Sequence, residues 1–118
     1  MNLLLRSAAV GLLAVWLAAC SSGGTTASPV ATNQVDLPKS YKFAPAAITV
    51  KAGTKVTWTN HDDFTHSVRL VDDGGKIMIM NPGDSVSFTF DKVGVHHYDC
   101  SFHPQVMKGT VTVTAAGG

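Results

Sequence analysis

Ser85-Val86-Ser87-Phe88-Thr89-Phe90 alternates polar and apolar side chains without a break, and Thr110-Val111-Thr112-Val113-Thr114 does the same near the end of the chain. A strict period of two cannot put its apolar side chains on one face of a helix, whose faces recur about every 3.6 residues; it fits a strand with one buried and one solvated face. The pattern recurs upstream. Ile48 and Val50 alternate with Thr49 and Lys51, and Val56, Trp58 and Asn60 alternate with Thr57 and Thr59. Between these runs stand turn-forming clusters: Lys51-Ala52-Gly53-Thr54, Asp72-Asp73-Gly74-Gly75, Asn81-Pro82-Gly83-Asp84 and Asp91-Lys92-Val93-Gly94. One-sided strands of this kind pair antiparallel, and a strand-turn spacing of about ten residues predicts a sandwich or barrel. The expected class is all-β, a Greek-key sandwich or barrel of about seven or eight strands. They are expected near 33–37, 41–44, 47–51, 55–60, 66–71, 76–80, 85–91, 94–100 and 109–115, with 101–108 a loop.

The first part of the chain has another task. One cation, Arg6, precedes an uninterrupted apolar run from Ala8 to Ala19. That run is too short to span a bilayer comfortably, which takes about 20 residues, and it reads as a secretory signal peptide. It closes on Leu17-Ala18-Ala19-Cys20, followed by Ser21-Ser22-Gly23-Gly24. This resembles the lipobox of bacterial lipoproteins, which implies that Cys20 is lipidated and becomes the mature N-terminus. The expected organisation is a signal peptide over 1–19, a lipidated Cys20 with a Ser-, Gly- and Thr-rich tether over 20–32, and one domain over 33–118. Such a protein is exported and held at a bacterial membrane, facing the periplasm or the cell exterior. Without Arg6, eight Lys and Arg face eight Asp and no Glu. A balance that even, with no basic cluster, carries no electrostatic footprint for nucleic acid. A core of such a small domain is marginal without a staple. With Cys20 lipidated, no disulfide can supply one within a single chain.

Chemistry-bearing residues concentrate in Tyr98-Asp99-Cys100-Ser101-Phe102-His103-Pro104-Gln105-Val106-Met107. Cys100 is an unpaired thiol in an exported protein, where thiols are a liability unless ligation or another use retains them. His103 and Met107 follow on the same short loop, so all three side chains can be aimed at one point. A thiolate, two imidazoles and a weak thioether form the donor set that suits blue copper. Zinc prefers four stronger ligands. The second imidazole must come from elsewhere, and His66, opening a strand after Asn60-His61-Asp62-Asp63-Phe64-Thr65, is the best candidate.

Taken together, these residues resemble the cupredoxin family, in particular its small plastocyanin- and amicyanin-like blue copper proteins. The resemblance rests on Phe43-Ala44-Pro45 with Ile48-Thr49-Val50 and Gly53, on Val56-Thr57-Trp58-Thr59-Asn60 with His66, and on Asn81-Pro82-Gly83 and Phe88-Thr89-Phe90 before Gly94. Tyr98-x-Cys100-x-x-His103 and Gly109-Thr110-Val111 complete it. It covers about 41–114. It implies one type 1 copper ion held by His66, Cys100, His103 and Met107, and one-electron carriage between a donor and an acceptor redox protein rather than catalysis. It further implies that His103 is the electron port, with Phe102, Pro104 and Val106 around it. Ser67 and Ser101 then tie the two ligand segments together, with the Ser67 amide donating to the Cys100 sulfur. A monomer is the family default. One feature departs from the pattern: three residues separate His103 from Met107, where plastocyanin-like loops place four and amicyanin-like loops two.

Other readings attach to the same residues. The ligand set also fits a lipid-anchored copper scavenger or donor; a metal-free binding module and a zinc-bearing structural domain compete less well. His61 is expected on a solvated loop, and His96 packed or hydrogen-bonded on the face that Tyr98 and Cys100 share. Met78, Met80, Trp58 and Tyr98 are expected in the core. The acid pairs Asp62-Asp63 and Asp72-Asp73 are expected as solvated turns.

Overall fold

The computed structural model describes residues 28–117. The expected signal peptide, Cys20 and most of the expected tether lie outside them. Nine strands follow in chain order: β1 (Val30–Ala31), β2 (Gln34–Leu37), β3 (Ala47–Lys51), β4 (Thr54–Asn60), β5 (His66–Leu70), β6 (Lys76–Met80), β7 (Ser85–Phe90), β8 (Gly94–Asp99) and β9 (Lys108–Thr114). They form two sheets, one of six strands in the order β1-β3-β9-β8-β5-β6 and one of three in the order β2-β4-β7. The all-β sandwich expected from the alternation is what is found.

The alternation becomes the core directly. Val35 and Leu37 of β2, Val56 and Trp58 of β4 and Phe90 of β7 point inward from the small sheet. Ile48, Val50, Val68, Leu70, Met80, Tyr98, Val111 and Val113 meet them from the large one. Trp58 sits centrally, with its ring edge-on to Tyr98 at 5.3 Å and to Phe90 at 6.2 Å between centroids. Each large apolar side chain buried this way contributes roughly 1.5–3 kcal/mol.

Pairing departs from the antiparallel expectation in three places. β1 with β3, β2 with β4 and β3 with β9 are parallel. The chain steps from one sheet to the other between β2, β3 and β4, so β4 returns alongside β2 in the same direction. β1 also shows that sheet pairing begins three residues before the expected boundary at 33.

The strand expected at 41–44 is absent. Residues 39–41 turn instead, Tyr41 lies at φ 52°, and only Ala44 bridges to Asp36. Continued from Ala44 and Asp36, an antiparallel ladder would next need Pro38, which has no N–H, and Tyr41 turns away at positive φ, so Tyr41 and Phe43 do not extend into a strand. Phe43 still reaches the core, against Tyr98.

Two ends of the sandwich differ in character. At one, Gly53 turns β3 into β4 at φ 90°. His96 there links the β5–β6 and β7–β8 turns, with Nδ1 2.9 Å from the Asp73 carboxylate and Nε2 2.7 Å from the Lys92 carbonyl. Burial alone would pull this imidazole down. The bonds to Asp73 and Lys92 and the Asp73 charge outweigh it and hold it above its ordinary value. His97 pairs with Asp72 at 2.7 Å, so neither acid of that turn is merely solvated. The other end gathers the β4–β5, β6–β7 and β8–β9 loops together with the segment after β2. There the chemistry-bearing side chains meet.

Candidate metal centre

The β4–β5 loop is organised by Asn60, fully buried at the end of β4. Its side-chain N–H groups donate to the carbonyls of Phe64 at 2.8 Å and Met80 at 3.1 Å, and its Oδ1 accepts from the Asp62 N–H at 2.9 Å. The loop therefore curls back and delivers Asp62 beneath the first residue of β5, His66. Nε2 of His66 lies 2.8 Å from Oδ2 of Asp62, with both side chains almost fully withdrawn from solvent. Asp62 is thus not the solvated acid expected from its polar neighbours. The reason is the partner four residues on, since a carboxylate is buried only where hydrogen bonds replace water. The bond from His66, opposed by burial and aided by the Asp63 N–H, holds its carboxyl below the usual range. Its neighbours Asp63 and His61 are exposed, as expected.

With Nε2 engaged, Nδ1 of His66 faces Sγ of Cys100 at 3.9 Å. Both residues are fully buried, and Cys100 is a free thiol. The separation is long for a hydrogen bond and apt for two donors sharing an ion. With bonds of about 2.3 Å to sulfur and about 2.0 Å to nitrogen, donors on one metal lie roughly 3.5–3.8 Å apart at tetrahedral to trigonal angles. The Ser67 N–H points at the same sulfur from 3.4 Å, and the Ser67 hydroxyl from 3.8 Å. Ser67 Oγ also accepts from the Ser101 N–H at 2.8 Å and bonds the Ser101 hydroxyl at 2.7 Å. These bonds join the β5 segment to the loop after β8.

The β8–β9 loop is held by its own backbone. Cys100 N–H donates to the Met107 carbonyl at 3.1 Å, and His103 N–H to the Cys100 carbonyl at 3.0 Å. Met107 N–H donates back to His103 at 3.0 Å. The three-residue spacer is therefore one turn closed by a bond four residues long, and Met107 is fully buried. The His103 ring, partly exposed, lies 5.8 Å from that of His66 between centroids. Among the described residues no three His, Cys, Asp or Glu side chains close into a ready-made cage. His66 and Cys100 make the tight pair, and His103 stands beside it. The chemistry of the set, one thiol, two imidazoles and a buried thioether, fits copper better than zinc.

Tyr41 was not foreseen here. Its ring is edge-on to His103 at 5.0 Å and to His66 at 5.7 Å, and stacks on Phe64 at 6.0 Å. Phe64, Phe102 and Val106 are all exposed at this end. Phe102 and Val106 were expected near His103; Phe64 and Tyr41 join from two other loops. No periodicity could have flagged Tyr41. For Asn60 the signal was present: an amide in phase with Val56 and Trp58 on a buried face.

Comparison with known proteins agrees. Residues 30–114 match the copper binding proteins of the plastocyanin/azurin family. A plastocyanin of Scenedesmus fuscus is 36% identical over 83 residues, 60% of this chain and 85% of that one. Amicyanin-alpha of Methylorubrum extorquens is 30% identical over 102 residues, 82% of this chain and 84% of its own. Among solved structures, a purple cupredoxin from Nitrosopumilus maritimus superposes with a TM-score of 0.61 at 33% identity, covering 69% of this chain and 98% of that one. A reduced amicyanin variant gives 0.62 at 31% identity, covering 74% and 92%.

Proposed function

We infer the function from a family membership: the chain belongs to the plastocyanin/azurin family of copper-binding proteins, the cupredoxins, whose cofactor is a single type 1 copper ion. The members of this family are electron carriers. We propose that this protein carries single electrons between two exported redox proteins, with His66, Cys100, His103 and Met107 holding the copper. When bound, the ion supplies a Cu(II)/Cu(I) couple. The observation that carries the reading is the buried His66–Cys100 pair at 3.9 Å, with the Ser67 N–H aimed at the sulfur.

The chain's own residues supply the rest. Burial of His66, Cys100 and Met107 keeps water out. Asn60, Ser67 and Ser101 fix the backbone on both sides, so little has to move when the charge changes. His103 reaches partly to the surface, where Tyr41, Phe64, Phe102 and Val106 offer an apolar landing for a partner protein. His103 is the electron port in this reading. Export and anchoring through Cys20 follow from the lipobox-like run, and the protein acts as a monomer at that membrane.

The test is the visible absorption and EPR spectrum of the copper-loaded protein. An intense red band with narrow copper hyperfine splitting supports the thiolate–copper site. A strong blue-violet band with a rhombic signal means that the three-residue spacer strengthens the Met107 interaction. A spectrum with no charge-transfer band removes Cys100 as a ligand and overturns the proposal.

A further inference from the structure

Asp62 is a carboxylate almost fully withdrawn from solvent, with both oxygens in use. Oδ1 accepts the Asp63 N–H at 2.7 Å, and Oδ2 lies 2.8 Å from His66 Nε2. An ionised carboxylate only accepts hydrogen bonds, so the Nε2 facing it carries the proton. A neutral imidazole has a single N–H, so Nδ1 is left as a bare lone pair, and it is Nδ1 that faces the Cys100 sulfur. The backbone bearing Asp62 is itself fixed by the buried Asn60 amide. The carboxylate cannot swing away without breaking its bonds to the Asp63 N–H and to His66.

We propose that Asp62 is a positioning residue for the metal, resting on the copper reading above. It selects the His66 tautomer and orientation before copper arrives. Through the shared proton it also makes Nδ1 a stronger donor, as carboxylates behind metal-binding histidines do. A negative charge held this close in a low-dielectric interior favours the doubly charged ion over the singly charged one. Asp62 therefore biases the site toward Cu(II), against the Ser67 N–H, which stabilises electron-rich sulfur.

Two measurements on the protein with Asp62→Asn and Asp62→Ala test this. In the metal-free wild type, nitrogen-15 NMR of His66 is expected to show Nε2 protonated, with its proton strongly deshielded. Asp62→Ala should lose that shift. Asp62→Asn keeps an acceptor and should retain the tautomer without the charge. Cu(II) affinity is expected to fall about 10- to 100-fold in Asp62→Ala. Cu(I) affinity should fall less, and in both variants the reduction potential should rise. An unchanged His66 tautomer in Asp62→Ala, or an unchanged Cu(II) to Cu(I) affinity ratio in Asp62→Asn with an intact blue band, overturns the role of Asp62. A wild type lacking the band overturns the copper assignment itself, while the metal-free NMR still decides whether Asp62 orients His66.

Discussion

Ser67 can be dissected because its two polar groups do different things. Its N–H points away from β6 toward Cys100 Sγ at 3.4 Å, so proline at this position removes that donor without taking a bond from the β5–β6 ladder. Its hydroxyl binds Ser101 at 2.7 Å and the Ser101 N–H at 2.8 Å. Ser67→Ala removes the hydroxyl and keeps the N–H; Ser67→Pro removes both. The difference between the variants isolates the N–H···S bond. A hydrogen bond to a charged group is worth about 1.5–3 kcal/mol. At 3.4 Å, and counting only the part by which it favours the more electron-rich sulfur of the reduced state, about 1 kcal/mol is a fair share. For a one-electron couple about 59 mV corresponds to a tenfold change in equilibrium, or roughly 40 mV per kcal/mol. Ser67→Pro should therefore lie about 40 mV below Ser67→Ala in a redox titration followed at the visible band. Equal potentials, or proline above alanine, would refute the argument that this amide tunes the sulfur.

Other consequences follow. His96, held above its ordinary value by Asp73 and Lys92, contributes stability that is complete below its unfolded pKa of about 6.5 and is lost as pH rises through the raised folded value. The melting-temperature gap between wild type and His96→Gln should narrow as pH climbs above about 6.5, and a gap independent of pH would count against it. Gly109 has no room for a side chain: an added Cβ would collide with the Tyr98 ring and lie 2.7 Å from the Ala46 carbonyl. Gly109→Ala should cost about 1–3 kcal/mol in denaturant unfolding, as overpacked sites do. Copper that binds only the folded chain stabilises it by mass action, so metal-free protein should melt lower than loaded protein, and equal melting points would contradict this.

Where the sequence alone was readable, a local pattern coincided with a global environment. Ser85–Phe90 and Thr110–Thr114 show their buried faces in their letters, because side chains alternate across any strand. Cys100, His103 and Met107 are close in sequence, so one loop had to keep them near one another; His66 could be picked as the imidazole opening the strand after that of Trp58. Asp62 was not readable. Asn-His-Asp-Asp looks solvated, and only the three bonds of the Asn60 side chain turn one of those acids inward. Tyr41 failed for the opposite reason. Its apolar letters looked like a strand, but Pro38 and the turn at Tyr41 stop the ladder, and the segment folds over the imidazoles instead. The parallel pairs were hidden too, since pairing direction depends on where the chain crosses between sheets rather than on any one strand.

The β8–β9 loop is fastened at its base, where Cys100 N–H meets the Met107 carbonyl. Everything between hangs outside that fastening, including His103 and the exposed Phe102 and Val106. Residues can be gained or lost there without sliding Asp99 past Lys108 in the sheet. The length of this segment and the apolar side chains it exposes are thereby separable from the fold. Insertions or deletions confined to this short segment leave the strands on either side in register.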